Sequence, residues 1–89
     1  MSKIIWESLI ALPRGVHCRV AAKMIEIVAT HDAEVQLAAE GGTADCSSML
    51  EILSLALTQG SSVRCTATGP NAPQVAQAID QLLSAKEEL

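Results

Sequence analysis

The residues best suited to chemistry lie in one stretch, PRGVHCRVAAK, residues 13–23. Arg14, Arg19 and Lys23 surround His17 and make up half of the six basic side chains in the 89-residue chain. No acidic residue occurs from Ser8 to Ile25, although the protein as a whole carries a net charge of −4. An acidic protein that gathers its cations around one histidine is built to hold an anion there. Phosphate fits best, because a helix starting just after His17 would offer backbone N–H groups and a partial positive charge. Arg19 would add planar, charge-assisted donors. A neutral imidazole is a nucleophile, and nearby cations favour the neutral ring. Such a ring could accept a phosphoryl group whose charge the same surroundings stabilise. The competing reading is a surface loop with scattered cations and an incidental histidine.

The elements that must position this stretch follow from hydrophobic spacing. Ile4 to Ile10 is short and rich in β-branched residues, which predicts a strand, and Leu12 to Gly15 has the proline and glycine of a loop. From Cys18 to Thr30, Ala21, Met24, Ile25 and Val28 recur at spacings of three and four. An amphipathic helix follows, ending at His31 and Asp32, with His31 as a cap near its C-terminus. Glu34 to Glu40 alternates with Val35, Leu37 and Ala39 on one face. Gly41-Gly42 suggests a tight hairpin into a strand through Thr43 to Asp45. Ser48 and Glu51 have the spacing of a capping box, opening a helix of Met49, Leu50, Ile52, Leu53 and Leu55 to Leu57 that Gly60 would terminate. Ser62 to Thr68 alternates again, with Val63, Cys65 and Ala67 together. Asn71 to Gln74 reads as a second capping box with proline in its first turn, before the apolar face Val75, Ile79, Leu82, Leu83. Trp6 is expected at the core or the sheet edge, and Lys86 to Leu89 as a frayed tail. The order β-α-β-β-α-β-α, with one-sided strands and amphipathic helices, predicts an α+β fold: an antiparallel sheet covered on one side.

Composition narrows the function. Eighty-nine residues make one domain, 1–89. Hydrophobic residues are 49% of the chain, which argues against disorder. The longest apolar run, Leu9 to Leu12, is too short for a membrane span or a signal-peptide core, so a cytoplasmic protein with no membrane insertion is expected. Acidic balance and the lack of stacking aromatics argue against nucleic acid as a partner. Three separated cysteines, Cys18, Cys46 and Cys65, give neither a disulfide framework nor metal spacing. They are expected to be small buried hydrophobes, with no metal and no cofactor.

Two blocks carry a family resemblance. GVHCRVAAK, Gly15 to Lys23, resembles the active-site pattern G-[LIM]-H-A-R-P-A of HPr, the histidine-containing phosphocarrier of the bacterial sugar phosphotransferase system. SMLEILSLALTQG, Ser48 to Gly60, resembles that family's S-I-M-G-[LV]-M-S-L-…-G segment, including the step Ser54-Leu55. The resemblance implies an open-faced β-sandwich, with three helices on one face of a four-stranded antiparallel sheet. It implies that His17 carries phosphate on a ring nitrogen, Nδ1 by analogy, with Arg19 contacting it and Arg14 and Lys23 supplying field. Enzyme I would be the donor and EIIA-type transporter domains the acceptors, served by a monomer. Ser48 aligns with the serine that HPr kinase modifies in some members, making it a candidate for regulatory phosphorylation as well as a helix cap. Met49 and Leu50 stand for the family's docking face.

Three residues depart from the pattern. Val20 replaces proline, Cys18 replaces alanine, and Glu51 replaces glycine. Val20 and Glu51 are thereby placed, with Met49 and Leu50, among residues expected to set partner choice. The departures favour an alternative, an HPr-like regulatory protein that docks a kinase or regulator and carries little phosphoryl flux. A weaker alternative is a redox sensor centred on Cys18.

Overall fold

Burial alternates along the strands as the sequence pattern requires. In β4 (Ser62–Gly69), Val63, Cys65 and Ala67 are fully buried, while Ser62 and Arg64 are exposed. In β2 (Glu34–Ala39), Val35 and Leu37 are buried between exposed Glu34 and Gln36. The computed structural model describes residues 2–86, so most of the expected tail, residues 87–89, lies outside the described residues. With β1 (Ser2–Leu9) and β3 (Gly42–Asp45), these strands form one sheet of order β1-β4-β2-β3, every neighbouring pair antiparallel. β4 pairs with β1 on one side and β2 on the other.

Helices α1 (Cys18–Thr30), α2 (Met49–Ser54) and α3 (Ala72–Leu83) cover one face, leaving the sheet open on the other. α1 buries Val20, Ala21, Met24 and Val28, with Ile25 only partly covered. α3 buries Ala72, Val75, Ala76, Ile79 and Leu83. These side chains and the inner faces of β2 and β4 make one hydrophobic cluster. The element order β-α-β-β-α-β-α is the expected one. Among the described residues, no helix is long and apolar enough to cross a membrane.

Several expected boundaries shift for identifiable reasons. β1 begins at Ser2 and ends at Leu9, not Ile10, whose N–H and carbonyl are taken by Ser61 and Gly60. The hairpin turn is Glu40-Gly41, since Gly42 already pairs with Ala39. α2 is much shorter than its apolar run: Ala56 turns into the left-handed region at φ 52, and its N–H closes on the Leu53 carbonyl at 3.1 Å. Gly60 therefore ends no helix. Leu55 and Leu57 are 5% exposed because the chain folds back to bury them, outside any helix.

Neither capping box forms as expected. Ser48 does cap α2, its Oγ accepting the Glu51 N–H at 3.2 Å. Glu51 Oε1, however, accepts the Asp45 N–H at 2.9 Å rather than that of Ser48. The Ser48 N–H already donates to the Asp45 carbonyl, which leaves the carboxylate to reach one turn further back. Asn71 makes no side-chain cap on α3; its Nδ2 donates to the His31 carbonyl at 2.9 Å and ties α3 to the end of α1. His31 itself closes α1, with Nδ1 2.7 Å from the Ile27 carbonyl.

Candidate functional site

The loop carrying His17 is built by a tight turn followed by a clamp. Pro13 occupies the second position of a turn closed by the Gly15 N–H to the Leu12 carbonyl, 2.9 Å. Gly15 then adopts φ +69 and lies so close to the following segment that a Cβ would fall 2.4 Å from the Leu57 carbonyl oxygen. Next, the Val16 N–H donates to that same Leu57 carbonyl at 2.9 Å. Further bonds fix the start of the loop: Ile10 N–H to the Ser61 carbonyl and Gly60 N–H to the Ile10 carbonyl, both 2.8 Å, and Ala11 N–H to the Leu83 carbonyl, 3.0 Å. Gln59 Nε2 donates to the Ala11 carbonyl at 3.3 Å. The segment leaving α2 and the end of α3 therefore hold the loop on both sides.

His17 is the N-cap of α1, with extended backbone (φ −90, ψ −179) and a half-buried side chain. The first intrahelical bond is Ala21 N–H to the His17 carbonyl at 3.0 Å, so the amides of Cys18, Arg19 and Val20 precede the helix's own bonding. The first turn has no acidic residue and His17 makes no side-chain cap. The imidazole thus sits where the 13-residue helix concentrates its positive dipole end. Arg19 and Lys23, four apart, share an exposed face of α1, and Arg14 is exposed on the preceding turn. This arrangement can receive an anion at the ring, stabilise it with backbone and guanidinium donors, and leave it within reach of another protein.

A second surface flanks the site through the packing of α1 on α2. On α2, Leu50 is 80% and Leu53 37% exposed, while Met49 rests partly on the core. The turn before α2 is rigid: Asp45 Oδ1 accepts both the Ser47 hydroxyl (2.7 Å) and the Ser47 N–H (2.9 Å). Those two bonds, the hydroxyl foremost, hold the Asp45 carboxyl below its ordinary range.

The sequence matches the family described as PTS HPr component phosphorylation site over residues 7–85. The chain belongs to the HPr family. It is 36% identical over 75 residues to the phosphocarrier protein HPr of Haloferax volcanii, covering 82% of this chain and 84% of that one. It is 34% identical over 71 residues to the phosphocarrier protein NPr of Escherichia coli K12, covering 79% of each. Among solved structures, HPr of Bacillus anthracis str. Ames superposes with a TM-score of 0.85 at 23% identity, over 93% of this chain and 99% of that one. This HPr-family protein is a phosphocarrier, with the open-faced sandwich of its structural relatives.

Against that fold, two expectations are corrected. Val20 is fully buried, so it anchors the first turn of α1 in the core and presents no docking surface. Cys18 is exposed, whereas Cys46 and Cys65 are buried as expected. Glu51 is exposed beside Leu50, with Oε1 accepting the Asp45 N–H. Two features escaped the sequence reading. Leu53 could have been found from its spacing of three after Leu50. The clamp by Leu57, Gln59 and Ser61 leaves no compositional sign, because backbone groups make most of it.

Proposed function

We propose that His17 is the phosphoryl acceptor and that this phosphocarrier takes its phosphate from phosphorylated Enzyme I and delivers it to EIIA-type domains. A neutral ring nitrogen of His17, Nδ1 by analogy with the family, attacks the phosphorus of the donor. The new N–P bond forms as the bond to the donor's own nitrogen breaks, and the departing nitrogen keeps the electron pair. Delivery reverses these events on the acceptor. The observation that carries this reading is the placement of His17 as N-cap of α1, at a helix end without a carboxylate in its first turn.

Arg19 is the phosphate partner, Arg14 and Lys23 add positive field, and the first-turn amides stabilise the dianion. Val20 keeps an N–H in that turn, where the family's proline has none. Leu50 and Leu53, with the exposed part of Met49, make the docking patch for both partners, since an exposed apolar patch beside a transfer site suits a transient interface. Ser48 acts as the α2 cap.

Phosphorus NMR of the protein with phosphoenolpyruvate and Enzyme I from the same organism tests this reading. An acid-labile phosphoramidate resonance, absent in His17→Ala, is expected. No resonance, while the same Enzyme I labels another HPr, would remove the carrier assignment. Arg19→Ala should slow transfer by about 10- to 100-fold, the value of a charge-assisted hydrogen bond. Leu50→Glu should weaken transfer from Enzyme I without changing the circular dichroism of the free protein.

A further inference from the structure

The sheet order leaves β1 at an edge, hydrogen-bonded among the described residues to one strand, β4. An uncovered edge presents a row of backbone donors and acceptors ready to pair with another strand. The direction of that row is fixed at the end of the ladder. Ile10 turns both its N–H and its carbonyl towards the β4 side, to Ser61 and Gly60 at 2.8 Å each. Successive residues of a strand point these groups to opposite edges. Ser8, Trp6 and Ile4 therefore face β4, while Lys3, Ile5, Glu7 and Leu9 direct their backbone groups outward. The same four side chains lie on the uncovered face of the sheet, all exposed, with Ile5 at 59% and Leu9 at 62%. The strand contains no proline, and its edge charges, Lys3 and Glu7, discourage pairing with any strand that does not present the complementary charges.

We propose that β1 pairs antiparallel with β1 of a second copy about a two-fold axis through Ile5, joining two four-stranded sheets into one. Only outward-facing residues can oppose one another, which limits the registers. With the axis at Ile5, Ile5 meets the partner's Ile5 and Lys3 meets the partner's Glu7, and the reverse. Each opposed pair exchanges both backbone hydrogen bonds, and the side-chain pairs are apolar with apolar and cation with anion. Sliding the register one way sets Ile5 against the partner's Lys3; sliding it the other way sets Ile5 against the partner's Glu7. An axis at Glu7 opposes two carboxylates. The Ile5 axis alone gives Lys3, Ile5 and Glu7 each a matching partner. Arg64 stands opposite Glu7 in the β1–β4 ladder, so charges alternate across the join: Arg64, Glu7, the partner's Lys3. A two-fold interface of this kind is closed and self-complementary. Because β1 enters the His17 loop from its Leu9 end, the two loops fall at opposite ends of the joined sheet and both stay open.

Sedimentation equilibrium from micromolar to millimolar concentration, with amide exchange on the same samples, tests the pairing. The expected result is a reversible rise from monomer to dimer mass. Exchange at the Lys3, Ile5 and Glu7 amides should slow as dimer forms, while that at Ile4, Trp6 and Ser8 stays unchanged because β4 already holds them. Lys3→Glu should weaken the dimer by about tenfold or more, since the two-fold axis breaks two charge pairs at once. Glu7→Lys should do likewise, and the double variant should restore it. A monomer mass at millimolar concentration overturns the proposal. So does a dimer that leaves the Lys3, Ile5 and Glu7 amides unprotected, or one that the double exchange fails to restore.

Discussion

Gly15 is the residue on which the position of His17 depends. Its φ of +69 suits glycine, and the 2.4 Å approach of a built Cβ to the Leu57 carbonyl leaves a side chain no room. Gly15→Ala should cost about 2 kcal/mol or more and slow phosphorylation as the loop parts from Leu57, measured by urea melts beside transfer assays. The three thiols should separate in a second experiment. A disulfide reagent should modify exposed Cys18 in the native state and reach Cys46 and Cys65 only on unfolding. At this scale the sequence was partly legible. The cation cluster stood out because charge is visible in composition, whereas the exposure of Cys18 did not. Its spacing from Ala21 puts it on the apolar stripe, but helical side chains lean towards the N-terminus. Cys18, the first residue of α1, therefore points past the helix end, while Val20 two positions on reaches the core.

Among the elements, α2 carries the most tension between sequence and structure. Its stability rests on the Ser48 cap, so Ser48→Ala should cost about 1 kcal/mol in a denaturant melt. Ala56, at φ 52, holds a conformation that disfavours a Cβ, and Ala56→Gly should stabilise the protein by up to about 1 kcal/mol. A lower melting temperature for Ala56→Gly would mean that chain entropy outweighs that strain. The run from Met49 to Leu57 looked like one long helix because its apolar residues are dense. Density records the core's demand for Leu55 and Leu57, which an irregular backbone meets equally well. Amphipathic spacing found α1 at its true bounds because thirteen residues give the period several turns to declare itself. Side-chain caps were less legible: Glu51 and Asn71 were free to choose partners that lie close in space, and only folding brought those partners near.

At the scale of the whole molecule, burial sets the response to alkali. Burial, reinforced by neighbouring Cys65 and Asp45, pushes the Cys46 thiol up to about 12 from an ordinary 9.0. Burial likewise raises the Cys65 thiol to about 12, against a lowering hydrogen bond from Ser8. The unfolded chain releases these protons first, so stability is intact below about pH 9 and falls as pH rises towards 12. Loss of up to about 4 kcal/mol per thiol at the top of that window is expected. Alkaline melts of Cys46→Ala and Cys65→Ala should show a shallower decline, and an unchanged slope would remove the thiols as its cause. The layered fold was legible from alternation and helical period, but neither says which strand lies beside which. Long-range pairing such as that of β1 with β4 is decided in three dimensions. One such tie, the Ala11 amide on the Leu83 carbonyl, bears on biosynthesis. The histidine loop leaves the ribosome early, yet its final bond waits for the last turn of α3. A nascent chain thus holds that loop one bond short of its final anchorage until translation has passed the helix.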